Sequence, residues 1–324
     1  MEKIETLFSW LDHTAEMIEA SQNEPYLDCL AHAMEILFYR EVSNIDDDLT
    51  AKKIEKSLQT IDLKEFQQIE IRKAVQMAIL KGMKENTQQQ HLITPEAVAL
   101  FIGYLANKFM SRQDTVTLFD PACGTSNLLT TVIGQLHKSV EAYGSDVDPT
   151  LMRLSLANAN LQEMEIEFFQ QDSLRPFLMA PVDLVVSDLP VGYYPDDVNA
   201  SQYKLKAEEG HSYAHHLFIE QSLTYTKEAG YLIILVPNFL FTSDQAEQLQ
   251  TFLKEHAHIY GLLQLPESIF KSKANAKSIL VLQKKGPGTA TPKQPLLVQL
   301  PSFKNEKAMA DIIGQMNTWF SKYL

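Results

Sequence analysis

The stretch VTLFD at residues 116–120, followed at once by PACGT at residues 121–125, decides the fold. A short apolar run that ends in a carboxylate and opens into a turn of small residues is typical of a strand that leads through a loop into a helix. Asp120 is expected at the end of that strand, and Gly124 lets the loop backbone come close to a ligand. Because ligands of parallel α/β sheets bind beyond the carboxyl ends of the strands, this loop is the first candidate binding site.

Short apolar runs continue to alternate with amphipathic segments after this loop. The later runs are VEAYGSD, IEFFQQD, VDLVVSD, YLIILVP, IYGLLQLP, SILVLQK and PLLVQL. Strands that alternate with helices predict a mainly parallel, doubly wound sheet with helices on both faces. Residues 1–110 show only helical spacing. We therefore predict an α/β protein with an all-helical N-terminal domain, 1–110, and a second domain, 111–324.

Composition narrows the function classes. Of the 324 residues 45% are apolar, yet no window is apolar enough to span a membrane, so we predict a soluble protein without a membrane partner. The amino terminus lacks the pattern of a secretory signal, and two cysteines are too few for a disulfide framework, which favours the cytoplasm.

A net charge of -13 argues against broad binding of phosphate backbones. A basic cluster at Lys271, Lys273 and Lys277 is typical of a solvated surface.

Two further strand ends carry carboxylates. Asp146 follows Gly124 by 22 residues, the spacing at which an acidic side chain can reach ribose hydroxyls. Asp172 follows the third strand and can accept a hydrogen bond from an adenine amino group. Aspartate also closes strands and caps helices for structural reasons alone. Taken together with Asp120, these residues predict a nucleoside site at one edge of the sheet.

The order of the motifs resembles a known family. The successive segments are HLITPEAVALFIGYL, DPACGTSNLL, GSDVDP, QQDSL, VDLVVSDLPVGYYP and AGYLIILVPNFLFTS. They resemble class I S-adenosylmethionine-dependent methyltransferases of the N6-adenine type, and in particular the modification subunit of type I restriction systems. The likeness covers about residues 88–285.

The resemblance implies a Rossmann-like methyltransferase sheet, S-adenosylmethionine as the cofactor and no metal. The candidate cofactor-binding residues are Thr94, Asp120, Ala122, Gly124, Asn127, Asp146, Val147, Asp172, Ser173 and Asp188. The candidate residues on the acceptor side are Asp188, Leu189, Pro190, Tyr193 and Tyr194.

The chain departs from the family pattern at two places. Ser126 stands where the family's cofactor loop usually has a second glycine. The catalytic motif reads Asp188-Leu189-Pro190-Val191, where the family has an Asn, two prolines and an aromatic residue. In such a motif a side-chain oxygen and a backbone carbonyl accept the hydrogens of an exocyclic amine and thereby favour its attack on the methyl group. Tyr193 or Tyr194 is a candidate for the missing stacking aromatic, and a packed loop corner is the equal alternative.

The segment 196–212 is polar and is expected to lie over the site as a loop or lid. His211 lies near its end and His215 and His216 follow it, and we expect one or two of these histidines at the rim of the pocket rather than on a metal.

Two functions compete at this point. The first is an N-methyltransferase whose acceptor is adenine in a nucleic acid presented by a partner subunit, an RNA, a protein amide or a small molecule. The second is a protein that binds S-adenosylmethionine without transfer and acts as an interaction module. A nicotinamide dehydrogenase is disfavoured, because no G-x-G-x-x-G loop follows a strand. Homo-oligomerisation is left open.

Overall fold

The computed structural model describes residues 2–85, 93–270 and 272–324. The helices are α1 (Glu2–Gln22), α2 (Tyr26–Tyr39), α3 (Asp48–Leu58), α4 (Gln68–Glu85), α5 (Glu96–Phe109), α6 (Asn127–Leu136), α7 (Pro149–Leu161), α8 (Asp197–Ala200), α9 (Ala214–Thr224), α10 (Ala246–His256) and α11 (Glu306–Tyr323). The strands are β1 (Thr115–Asp120), β2 (Ser139–Asp146), β3 (Ile166–Gln170), β4 (Val182–Asp188), β5 (Thr226–Pro237), β6 (Ala257–Gln264), β7 (Lys277–Lys284) and β8 (Leu296–Gln299). Lys271 and the first residues of the family resemblance, 88–92, lie outside the described residues.

The strands form one sheet in the order β3-β2-β1-β4-β5-β7-β6-β8. The first five strands of the chain pair in parallel, whereas β7 runs antiparallel between β5 and β6, and β8 pairs with β6 in parallel. The predicted mainly parallel sheet is therefore confirmed. The strand order reverses between β1 and β4, and a reversal of this kind opens a crevice for ligands at the carboxyl ends of the strands.

Strand β5 is apolar from Tyr231 to Pro237 because both of its faces are buried there. Ile233 and Leu235 contribute to the cluster that packs with α5, α6 and α11, whereas Ile234 and Val236 contribute to the cluster with α9 and α10 on the other face. Successive side chains of a strand point to opposite faces, so a strand covered on both sides needs an uninterrupted apolar run.

The helices α1 to α4 form a cluster of their own that extends onto α7. Ion pairs of two arginines help to join them to the sheet domain. Arg153 in α7 pairs with Glu35 in α2 through two hydrogen bonds of 2.8 and 2.7 Å. Arg72 in α4 donates to Thr131 Oγ1 at 2.6 Å and to Glu96 at 3.2 Å. These contacts tie the helical part to α5, α6 and α7. The division of the chain at residue 110 stays a prediction.

In the described parts of the chain, no helix combines the length and the apolar character needed to cross a membrane.

Candidate active site

The carboxyl ends of the first four strands bring the predicted aspartates to one edge of the sheet. Asp120 ends β1, Asp146 ends β2 and Asp188 ends β4, while Asp172 follows the end of β3 by two residues. These residues lie at the same edge because neighbouring strands pair in parallel, which places the carboxyl ends of all four strands on the same side of the sheet.

The loop after β1 is built around Asp146. The backbone N–H of Gly124 donates to Asp146 Oδ2 and that of Asp148 donates to Asp146 Oδ1, both at 3.0 Å. Gly124 has φ +55°, and among the described residues no heavy atom lies within 4 Å of the point where its Cβ would stand. The loop therefore leaves open space beside a carboxylate, which suits the ribose of a nucleoside cofactor. Val147, also predicted for the cofactor, is 67% exposed beside this loop.

The side chain of Asp120 is buried beneath the same loop. Its Oδ1 accepts hydrogen bonds from Ser187 Oγ at 2.7 Å and from the N–H of Ala122 at 3.1 Å. Burial, together with the smaller effect of the charges of Asp188 and Asp146, raises the pKa of Asp120 to about 7, against the opposing effect of its hydrogen bonds from Ser187 and Ala122. A buried carboxyl next to two other carboxylates is stabilised by a cation, so this site suits a positively charged ligand.

Ser126 occupies the place of the family's second glycine and adopts φ +59°. The left-handed region is costly for a residue with a Cβ, which explains why glycine is usual there. The next residue, Asn127, begins α6, and its Nδ2 donates to the carbonyl of Thr94 at 2.9 Å. The cofactor loop is thus joined to the segment that precedes α5.

Thr94 and Lys277 together surround Asp188. Thr94 Oγ1 donates to Asp188 Oδ2 at 2.9 Å. Lys277 at the start of β7 forms an ion pair with Asp188 Oδ1 and donates to the carbonyl of Leu189 at 3.3 Å. Lys277 was expected on a solvated surface, but only 22% of its side chain is exposed.

Both carboxylate oxygens of Asp172 already accept hydrogen bonds from within the chain. Tyr194, which is buried, donates its hydroxyl to Asp172 Oδ2 at 2.5 Å, and the N–H of Leu174 donates to Oδ1 at 3.0 Å. Asn199 Nδ2 donates to the Tyr194 hydroxyl at 3.0 Å. Tyr194 is therefore a packed loop corner. The neighbouring Ser173 is buried and donates to Ser145 Oγ at 2.9 Å.

Tyr193 is the exposed aromatic of the pair. Its ring is 62% exposed and stacks on Tyr213 with centroids 5.0 Å apart and planes 14° from parallel. Pro190 and Val191 are also exposed between Asp188 and this ring pair. Tyr213 had no part in the sequence-based site, because its contact with Tyr193 depends on the backbone bridge that the two residues form.

The segment 196–212 folds into α8 and a turn. Asn199 and Leu205 within it are buried, so it packs against the domain.

His215 and His216, expected at the rim, are wholly buried, and within the described chain neither ring has a hydrogen-bond partner. Burial lowers the pKa of His215 to about 3 and that of His216 to about 4. His211 is exposed and contacts Asp197. Among the residues described, no group of three or more His, Cys, Asp or Glu side chains is placed to hold a metal.

Comparison with protein families agrees with this geometry. Residues 78–310 match the model described as N-6 DNA Methylase, and residues 5–83 match the YtxK N-terminal helical domain. The chain belongs to the N-6 DNA methylase family. The family and the fold identify the chain as a class I S-adenosylmethionine-dependent methyltransferase in type and imply S-adenosylmethionine as its cofactor.

Two close relatives and one structural neighbour were found for this chain. The uncharacterized protein YtxK of Bacillus subtilis is 45% identical over 98% of this chain and 97% of that protein. A Listeria monocytogenes crystal structure, described as a class I S-adenosylmethionine-dependent methyltransferase, is 42% identical, covers 98% of this chain and 99% of that one, and has a TM-score of 0.93. The modification subunit of a type I restriction enzyme from Vibrio vulnificus shares the fold, with a TM-score of 0.67 at 15% identity over 90% of this chain and 66% of that one.

Proposed function

We propose that this chain transfers a methyl group from S-adenosylmethionine to an exocyclic ring amine of the adenine type. The observation that carries the proposal is the placement of two oxygens, the carboxylate of Asp188 and the backbone carbonyl of Leu189. One nitrogen, Nζ of Lys277, donates to both of them, so a single amine with two hydrogens can do the same. An amine held by two acceptors points its lone pair away from its ring system and becomes a better nucleophile.

Each group at the site then has a defined part. Asp146 and the loop at Gly124 bind the ribose side of the cofactor, Asp120 faces its cationic part, and Thr94 holds Asp188 in place. When bound, the cofactor supplies the methyl group as an electrophilic carbon on a sulfonium. Asp188 and the carbonyl of Leu189 orient the acceptor nitrogen, and the carboxylate of Asp188 accepts the proton that this nitrogen releases once it is methylated. The other proposed cofactor contacts are Ala122, Asn127, Val147, Asp172 and Ser173.

The acceptor ring is proposed to stack on the Tyr193–Tyr213 pair. Tyr193 is exposed and follows Pro190 and Val191 closely in the sequence, Tyr213 is partly buried, and the pair replaces the aromatic that the motif lacks. Stacking of a base on an aromatic side chain contributes about 1–3 kcal/mol. With a net charge of -13, the chain has little attraction for a phosphate backbone of its own. We therefore propose that a nucleic acid acceptor is presented by a partner subunit, and the description of structural neighbours as subunits of type I restriction systems supports this proposal.

Two measurements test the proposal. Calorimetric titration with S-adenosylmethionine should show saturable binding by the wild type and loss of binding by the folded Asp146→Ala variant. Transfer of a labelled methyl group to a single-stranded oligonucleotide of adenines should exceed transfer to the same oligonucleotide with hypoxanthine, which lacks the amine. Asp188→Ala should abolish that difference. Equal labelling of both oligonucleotides would contradict an amine acceptor.

A second candidate is a protein that binds the cofactor without transferring its methyl group. The ion pair between Lys277 and Asp188 favours it, because the position of the acceptor amine is taken. Saturable cofactor binding with no transfer by the wild type or by a Lys277 variant would support this alternative.

A further inference from the structure

We infer that the ammonium group of Lys277 occupies the position of the acceptor amine and keeps the transfer site closed until an acceptor displaces it. The inference rests on the proposed function and adds a residue that any acceptor has to displace. Nζ of Lys277 donates to the Asp188 carboxylate and to the Leu189 carbonyl, the same two oxygens that the reaction requires for the acceptor nitrogen.

The contact differs from an ordinary surface ion pair. Only 22% of the Lys277 side chain and 20% of the Asp188 side chain are exposed. The second carboxylate oxygen of Asp188 is held by Thr94, so the carboxylate has little freedom to turn away. A partly buried pair with a fixed geometry holds its partner more tightly than an exposed pair does. By contrast, the side chain of Lys273 is 83% exposed in its pair with Glu267.

Lys277 can leave the site without any movement of the backbone. Its backbone lies opposite Pro237 in the ladder between β5 and β7, and its carbonyl accepts from the N–H of Leu265 at 3.3 Å. The four-carbon stem of a lysine has several rotatable bonds, so a change of rotamer is enough to withdraw the ammonium. The backbone pairing of β7 thus fixes the position of the Lys277 Cα, and the ion pair with Asp188 alone holds its Nζ at the site.

The charge of Lys277 should affect the relative affinities of the protein for the cofactor and for the product of transfer. Transfer requires the acceptor nitrogen to lie in line with the sulfonium, so a cation at that position repels S-adenosylmethionine. S-adenosylhomocysteine, the product, carries no sulfonium charge and is not repelled in this way. A protein with Lys277 in place should therefore discriminate against the cofactor relative to the product. Removal of the ammonium leaves the negative charge of Asp188, which attracts the sulfonium.

The experiment measures binding of both nucleosides and needs no knowledge of the acceptor. S-adenosylmethionine and S-adenosylhomocysteine are titrated calorimetrically into the wild type, Lys277→Met and the matched control Lys273→Met. Methionine keeps the unbranched shape of the lysine stem without its charge. The ratio of the two dissociation constants should move in favour of S-adenosylmethionine by about fivefold or more in Lys277→Met. The ratio in Lys273→Met should equal that of the wild type.

The outcomes separate the inference from the proposed function. An unchanged ratio in Lys277→Met, with saturable binding of both nucleosides, would overturn the inference and leave the proposed function standing. Absence of binding of either nucleoside by folded wild type would overturn the proposed function and the inference with it. If Lys277→Met does not fold, Lys277→Gln supplies the same comparison with a polar side chain.

Discussion

Thr94 and Asp188 are joined by a hydrogen bond of 2.9 Å across 94 residues of sequence. Thr94 precedes α5, and Asp188 ends β4. The bond therefore links the segment that precedes α5 to the first residue of the predicted catalytic motif. A hydroxyl donor on one oxygen of a carboxylate fixes the direction of the other oxygen, which here faces Lys277.

The first prediction concerns this bond. Thr94→Val keeps the branched shape and places a methyl group against Asp188 Oδ2. We expect a loss of about 1.5–3 kcal/mol in the free energy of unfolding, the usual contribution of a hydrogen bond to a charged group. Urea denaturation measures it. Thr94→Ser retains the hydroxyl and should stay close to the wild type; a loss in Thr94→Ser with none in Thr94→Val would show that the methyl packing of Thr94, and not its hydroxyl, matters.

The fold was predictable because both faces of the sheet are covered. The run VDLVVSD coincides with β4 from Val182 to Asp188, since a buried parallel strand is rich in Val, Ile and Leu. The direction of β7 was not predicted. The sequence does hold a signal for it, because parallel neighbours require a crossover that usually contains a helix. Between Gln264 and Lys277 the described residues form only short turns.

The site was predictable in part, for the same kind of reason. Asp120, Asp146 and Asp188 lie at strand ends, and the order of the strands brings such ends together. Lys277 acts on Asp188 from 89 residues away, and its place depends on the antiparallel register of β7. The local sequence shows only that Lys277 begins an apolar strand, and it does not indicate which residue its side chain contacts. The roles of these residues in binding and transfer stay predictions.

The second prediction concerns the pH dependence of cofactor binding. The pKa of Asp120 is raised to about 7 by burial. A cationic ligand binds the ionised carboxylate better, so it lowers this pKa and binds more weakly as pH falls below 7. Between pH 7 and pH 5.5 the affinity for S-adenosylmethionine should drop about tenfold by linkage. Calorimetry at several pH values measures the drop. In Asp120→Asn the affinity should be lower and nearly independent of pH, and a flat profile in the wild type would contradict the assignment.

The third prediction concerns the contact between the helical part and the sheet domain. Arg72 is largely buried and joins α4 to Thr131 and Glu96. Arg72→Met leaves these partners without their donor, and we expect a loss of about 2 kcal/mol in the free energy of unfolding. Lys73→Met is the matched control, because Lys73 reaches the same Glu96 at 3.8 Å from a more exposed position. Its loss should stay below about 0.5 kcal/mol. Similar losses of stability in both variants would mean that removal of a positive charge near Glu96, and not the loss of the buried hydrogen bonds of Arg72, accounts for the effect.

The last prediction concerns the buried histidines beside the acceptor side of the site. Burial lowers the pKa of His215 to about 3, with the charges of His216 and Lys277 acting in the same direction. Its pKa in the unfolded chain is near 6.5, so between these values the unfolded state binds more protons and stability falls as pH decreases. From pH 7 to pH 5 this histidine alone should cost about 2 kcal/mol. Asp120 acts in the opposite direction over part of this range, because its folded pKa is raised.

A comparison of variants isolates the histidine, since Asp120 is common to all of them. His215→Leu removes the titrating group, so its stability relative to the wild type should rise by about 2 kcal/mol as pH falls from 7 to 5. His211→Gln replaces a histidine whose side chain is 63% exposed, and it should follow the wild type throughout. Urea denaturation across the range provides the measurement. A constant difference between His215→Leu and the wild type would mean that His215 is protonated in the folded protein, which requires an acceptor or a water-filled opening beside Lys277.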